Sequence, residues 1–89
     1  MKNQVLAISF GLISMIALGQ KSELKTAEKA IKKGEFASAL VAVNSVDAML
    51  ASMDSKYKAK YYFLKGQALA GESNYAAAAD SFNNLFDYE

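Results

Sequence analysis

From residue 21 onward, apolar side chains return every three or four positions, which is the period of an amphipathic helix. Leu24, Ala27, Ala30 and Ile31 mark one face of a helix predicted over about 22–33, and the lysines with Glu28 cover the other. Ser22 is placed to cap its start, and Glu23 in the first turn suits the helix dipole. Gly34 is predicted to end it, because glycine takes a left-handed cap without a Cβ clash. A second helix is predicted over 36–52, with Phe36, Ala39, Leu40, Val43, Val46, Ala48, Met49 and Leu50 apolar. Ala37, Ala39 and Ala42 leave room for a neighbouring helix. Met53 to Lys56 breaks the pattern, and Asp54 or Ser55 can cap a third helix over 56–70. This one is apolar nearly all round, through Tyr57, Tyr61, Tyr62, Phe63, Leu64, Leu69 and their alanine neighbours, so it should touch other elements on more than one face. Gly71 is predicted to cap it. Asn74 should begin a fourth helix that contains Phe82, Leu85 and Phe86 and runs to the end of the chain. No strand alternation competes. The expected fold is all-α, built from two antiparallel helix pairs.

The N-terminus has a different pattern. Met1 to Gln4 carries a single cation, Lys2, and Val5 to Leu18 is apolar apart from Ser9, Gly11 and Ser14. Ala17 and Gly19 then put small residues three and one positions before Gln20. This is the layout of a secretory signal peptide over 1–19. Its apolar stretch of about 14 residues is shorter than the ~20 needed to span a membrane as a helix. Membrane attachment is expected only if the segment is retained. A bacterial lipoprotein signal would need Cys where Gln20 stands, so lipidation there is excluded. The expected location is periplasmic or secreted, in a Gram-negative bacterium.

Two stretches of the remainder match at an offset of 39 residues. Phe36, Ala39, Val43 and Val46 in the first, which begins at Gly34, correspond to Tyr75, Ala78, Phe82 and Leu85 in the second, with an aromatic three residues before a small side chain in each. The chain here resembles the tetratricopeptide repeat family, whose unit is a helix–turn–helix. Tyr62, Gly66, Leu69, Tyr75, Ala78, Phe82 and Leu85 carry the resemblance in the second unit, and Ala27 with the first stretch carries it in the first. Glu23 departs from the aromatic expected at its position. The offset of 39 is longer than the family's 34, and the turn before Tyr75 differs, with Gly71 four residues ahead where Gly34 lies two ahead of Phe36. The resemblance implies TPR-like repeats at 20–53 and 54–89, stacked as the start of a right-handed α-solenoid.

Charge and chemistry narrow the function. Without Lys2 the chain has nine lysines against nine acidic residues, and no arginine. No net field favours nucleic acid or an anionic surface. Lysines crowd the first helix, while the last 18 residues carry acids and no lysine. This reads as two solvated faces or, more sharply, as head-to-tail attraction between units. Histidine and cysteine are absent, which removes the usual general base, thiol nucleophile and commonest metal ligands. Glu23 and Glu28 point about 140° apart on a helix, and Asp80 and Asp87 stand about 10 Å apart along one. Ser73 and Ser81 have no activating base nearby in sequence. No enzyme, cofactor or metal site is expected.

The resemblance implies that the first helix of each unit builds a concave face. Its candidates are Leu24, Glu28, Ile31 and Lys32 from the first unit and Lys60, Phe63, Gln67 and Ala70 from the second. Phe63 is the strongest contact residue, as an anchor for a partner or for a neighbouring unit. The expected function is an exported module that binds a protein or peptide through that face. The alternative is a structural or self-associating N-terminal segment of a larger repeat protein. It rests on Phe82, Leu85, Phe86 and Tyr88, which are expected to stand exposed on the last helix with no capping helix after them.

Overall fold

A computed structural model describes residues 21–88. The signal-like segment, the junction before Gln20 and the terminal Glu89 lie outside the described residues. Helix α1 occupies 21–32, α2 Phe36–Asn44, α3 Ser55–Gly71 and α4 Tyr75–Phe86. A 3-10 segment, Asp47–Ser52, links α2 to α3. Among the described residues there is no strand, and the four helices pack as adjacent pairs, α1 with α2 and α3 with α4.

The core forms where the pairs meet. Leu24 and Ala27 of α1, Ala42 and Val43 of α2, Val46 and Met53 of the linker, and Tyr61 and Leu64 of α3 are all buried together. A second cluster joins Ala30, Ala39 and Ala68, where three alanines let three helices converge. So α3 packs against α1 and α2 on one side and α4 on the other, in keeping with its apolar circumference.

The two turns within the pairs are the same structure. At the first, Gly34 sits at φ +76°, the Glu35 N–H donates to Ala30 at 2.8 Å, and the Gly34 N–H donates to Ile31 at 3.0 Å. At the second, Ser73 sits at φ +64°, and Asn74 and Ser73 donate to Leu69 and Ala70 at the same two distances. Both are Schellman caps, which satisfy carbonyls the helix end leaves free. The next residues, Glu35 and Asn74, have φ/ψ of −90°/71° and −90°/72°. The turn before Tyr75 was expected to differ, with Gly71 as the cap. Instead Ser73 takes the left-handed position, 39 residues after Gly34. Gly71 is the last residue of α3, and its missing side chain makes room for the Phe36 ring.

The second helix is shorter than its pattern predicts. It ends at Asn44 rather than Ser52. The Ser45 hydroxyl donates to the Ala42 carbonyl at 2.6 Å, a local bond that competes with helix continuation. The Val46 and Met49 N–H groups then donate three residues back, which tightens the chain into the 3-10 turn. Asn74 caps α4 as predicted, with its side chain accepting from the Ala77 N–H at 3.4 Å.

The end of α4 is also better covered than expected. A Cβ on Gly66 would lie 2.5 Å from the Phe82 ring, so Phe82 fills the space that glycine leaves. Leu85 is half-buried. Tyr88 stacks on Tyr62, with ring centroids 5.8 Å apart and planes within 9°, and Lys58 lies 5.4 Å from the Tyr88 centroid. Of the four residues expected to be exposed, only Phe86 is, and Tyr75 joins it.

Candidate functional site

Helices α1 and α3 run side by side and leave a groove between them. Its cavity of about 280 Å³ is lined by Glu28, Ile31 and Lys32 from α1 and Phe63, Leu64 and Gln67 from α3. Helical spacing explains the set. Positions 28, 31 and 32 share one face of α1, and 60, 63, 64 and 67 share one face of α3. Glu28 and Gln67 are repeat-equivalent, 39 residues apart, and both line the cavity. The floor is apolar, from Ile31, Leu64 and Phe63, and Phe63 remains 46% exposed.

The rim is charged. The Glu28 carboxylate lies 3.3 Å from Lys60 Nζ and 3.9 Å from Lys32 Nζ. These pairs are half-exposed, so each adds little to stability. Their effect is on orientation and charge: one carboxylate is shared by two ammonium groups, which leaves the rim net positive. Lys60 also lines an adjoining, shallower hollow of about 380 Å³ with Ala59, Phe63 and Leu85. Phe63 separates the two, its ring 6.4 Å from that of Phe82.

Thus Glu28, Ile31, Lys32, Phe63 and Gln67 come together at one groove, with Lys60 at its edge. Leu24 does not join them. It is 1% exposed and belongs to the core, where Val43, Val46 and Leu64 surround it. Ala70 lines neither cavity. Leu64, one of the apolar residues that ring the third helix in the sequence, both packs in the core and reaches the groove floor.

A second polar cluster has no counterpart in the sequence reading. The Tyr61 hydroxyl donates to Asp47 Oδ1, and Lys65 Nζ donates to that hydroxyl oxygen at 3.0 Å while lying 3.7 Å from the Asp47 carboxylate. Tyr62 meets Tyr61 edge-on, with centroids 4.9 Å apart. Burial, then the hydrogen bond and charge of Asp47, push the Tyr61 phenol well above its ordinary value of 10.0. Burial followed by the neighbouring Tyr88 raises Tyr62 in the same direction. The cluster fastens the 3-10 turn to α3. Its only visible signal was the i, i+4 spacing of Tyr61 and Lys65; nothing marked Asp47.

Among the described residues no three His, Cys, Asp or Glu side chains are grouped to hold a metal ion, and no helix is long and apolar enough to cross a membrane. Comparison with known protein families, with characterised proteins and with solved structures finds no match to this chain.

Proposed function

We propose that this chain is a helical-repeat interaction module of the tetratricopeptide type, which holds an extended peptide in the groove between α1 and α3. The observation that carries this reading is the exposure of Phe63 beside Ile31 in a groove where Glu28 and Gln67 occupy equivalent positions of two units. A half-exposed aromatic on a rigid helix is a low-entropy anchor for a partner side chain. At about 280 Å³ the cavity is below the usual ~300–1,000 Å³ of small-molecule sites, so it suits one apolar side chain of a longer ligand. The Gln67 amide can donate to and accept from a peptide backbone. The net positive rim of Lys32 and Lys60 around Glu28 favours an acidic residue next to that apolar one.

In this reading binding is noncovalent, the two units stack with the right-handed turn of a solenoid, and residues 1–19 direct export to the periplasm or outside the cell. A mature N-terminus at Gln20, read by mass spectrometry, tests the export step. Selection from a displayed library of random peptides tests the groove. The expected consensus pairs a large apolar residue with Asp or Glu, and a Phe63→Ala/Lys60→Glu variant should lose the selected peptides. Retention of full affinity by that variant would sink the groove assignment.

A further inference from the structure

The 39-residue offset maps each surface of the first pair onto the second. Phe36, Leu40 and Val43 of α2, with Asp47 of the 3-10 turn that follows it, form the face that meets α3. Phe36 lies on Gly71, Leu40 packs on the cluster that contains Ala68, Val43 shares the core with Tyr61 and Leu64, and Asp47 accepts from Tyr61. The same positions on α4 are Tyr75, Ala79, Phe82 and Phe86. Among the described residues nothing equivalent to α3 covers them. Tyr75 and Phe86 are 67% and 68% exposed, Ala79 is exposed, and Phe82 is half-buried against Gly66 and Phe63.

We propose that this stripe is a homodimer interface, in which α4 packs antiparallel on α4 of a second copy about a two-fold axis. A two-fold interface must be self-complementary, and this one is. The stripe's spacing of four, three and four residues is symmetric about a point between Asp80 and Ser81. In an antiparallel pair Tyr75 of one copy faces Phe86 of the other, which places aromatic on aromatic at both ends. At the centre Phe82 faces Ala79, a large side chain opposite a small one, as Phe36 is opposite Gly71 within the chain. The stripe carries no charge. Asp80 and Asp87 point about 120–140° away from Tyr75 around the helix, so like charges do not meet across the axis.

The other way to use a second copy is head to tail, with α1 of one molecule on α4 of the next. The α1 positions equivalent to Tyr61, Leu64, Ala68 and Gly71 are Ser22, Lys25, Lys29 and Lys32, all exposed. That arrangement would set three ammonium groups on an apolar stripe, with Asp80 and Asp87 turned elsewhere, and taking charge out of water is costly. Among the described residues the lysine face of α1 is exposed to solvent, and the α4 stripe is the face that takes a partner. Helix α4 has 12 residues, about 18 Å, so the contact falls at the small end of specific interfaces. The dimer should therefore be reversible, with a dissociation constant on the order of 10–100 μM.

Sedimentation equilibrium of the protein, purified as the cell leaves it, tests this across a series that extends well above the expected dissociation constant. The wild type should form dimers and no larger species. Tyr75→Lys and Phe86→Glu should each be monomeric with unchanged helical circular dichroism, since both side chains are mostly exposed in the protomer. Mixing the two variants should restore a dimer, because the new lysine of one faces the new glutamate of the other. Lys60→Glu, which alters the peptide groove, should dimerise like the wild type, so the two proposals fail separately. A wild type that stays monomeric throughout, single variants that associate like the wild type, or a mixture that stays monomeric would each overturn the antiparallel α4 dimer.

Discussion

Gly66 and Phe82 illustrate how single residues set the distance between helices. The ring occupies the volume a Cβ on Gly66 would need, so Gly66→Ala forces α3 and α4 apart or twists Phe82 off its rotamer. Overpacking of this kind costs about 1–3 kcal/mol. A urea titration should show the midpoint falling with an unchanged slope. Phe82→Leu in the Gly66→Ala background should recover part of the loss, since residues in contact do not behave additively. A second residue-scale prediction concerns Tyr61. The folded chain holds the phenol proton more tightly than the unfolded chain does, because burial and Asp47 disfavour the phenolate. Stability from this site is complete below the unfolded value near 10 and drains away as pH rises above it. Tyr62 is shifted in the same direction and adds to the slope. Unfolding free energy should thus decline between pH 9 and 11, and the decline should be shallower in Tyr61→Phe, as read by urea unfolding at each pH.

At the scale of elements, the paired Schellman caps make a sharper prediction. Both turns use a left-handed residue, but only the first supplies glycine. Gly34→Ala should cost about 1 kcal/mol, because alanine pays the left-handed penalty that glycine avoids. Ser73→Gly should add about 0.5–1 kcal/mol for the same reason. Thermal unfolding of the two variants should move in opposite directions, and a loss of stability in Ser73→Gly would contradict the equivalence of the turns. The helices were legible because their apolar residues recur with helical period. The end of α2 was not, since Val46, Met49, Leu50 and Met53 continue that period while Ser45 breaks the backbone pattern through a bond no periodicity records. The left-handed Ser73 was hidden behind Gly71, whose glycine serves packing against Phe36. The family resemblance placed Glu28, Ile31, Lys32, Phe63 and Gln67 on one face, and these five line one cavity. Leu24 went to the core because the approach of α3 to α1 decides which edge of a stripe is covered, and a sequence does not state that angle.

At the scale of the whole molecule, one pair of helices is covered by the next, and among the described residues the second pair leaves the matching face open. Leu24 is buried by α2, the linker and α3, whereas its equivalent Phe63, beside Phe82 and at the groove with Ile31, stays half-exposed. The groove and the α4 stripe are thus adjacent but distinct surfaces, joined at the contact between Phe63 and Phe82. The central claim is that the groove between α1 and α3 holds a peptide. Its most direct test is nuclear magnetic resonance titration of the 15N-labelled protein with a peptide selected for an apolar residue beside an acidic one. The account predicts saturable shifts of the Glu28, Ile31, Lys32, Phe63 and Gln67 amides, with Ala76, Ala79 and Asn83 of α4 unmoved. Shifts confined to α4, or none that saturate, would contradict it.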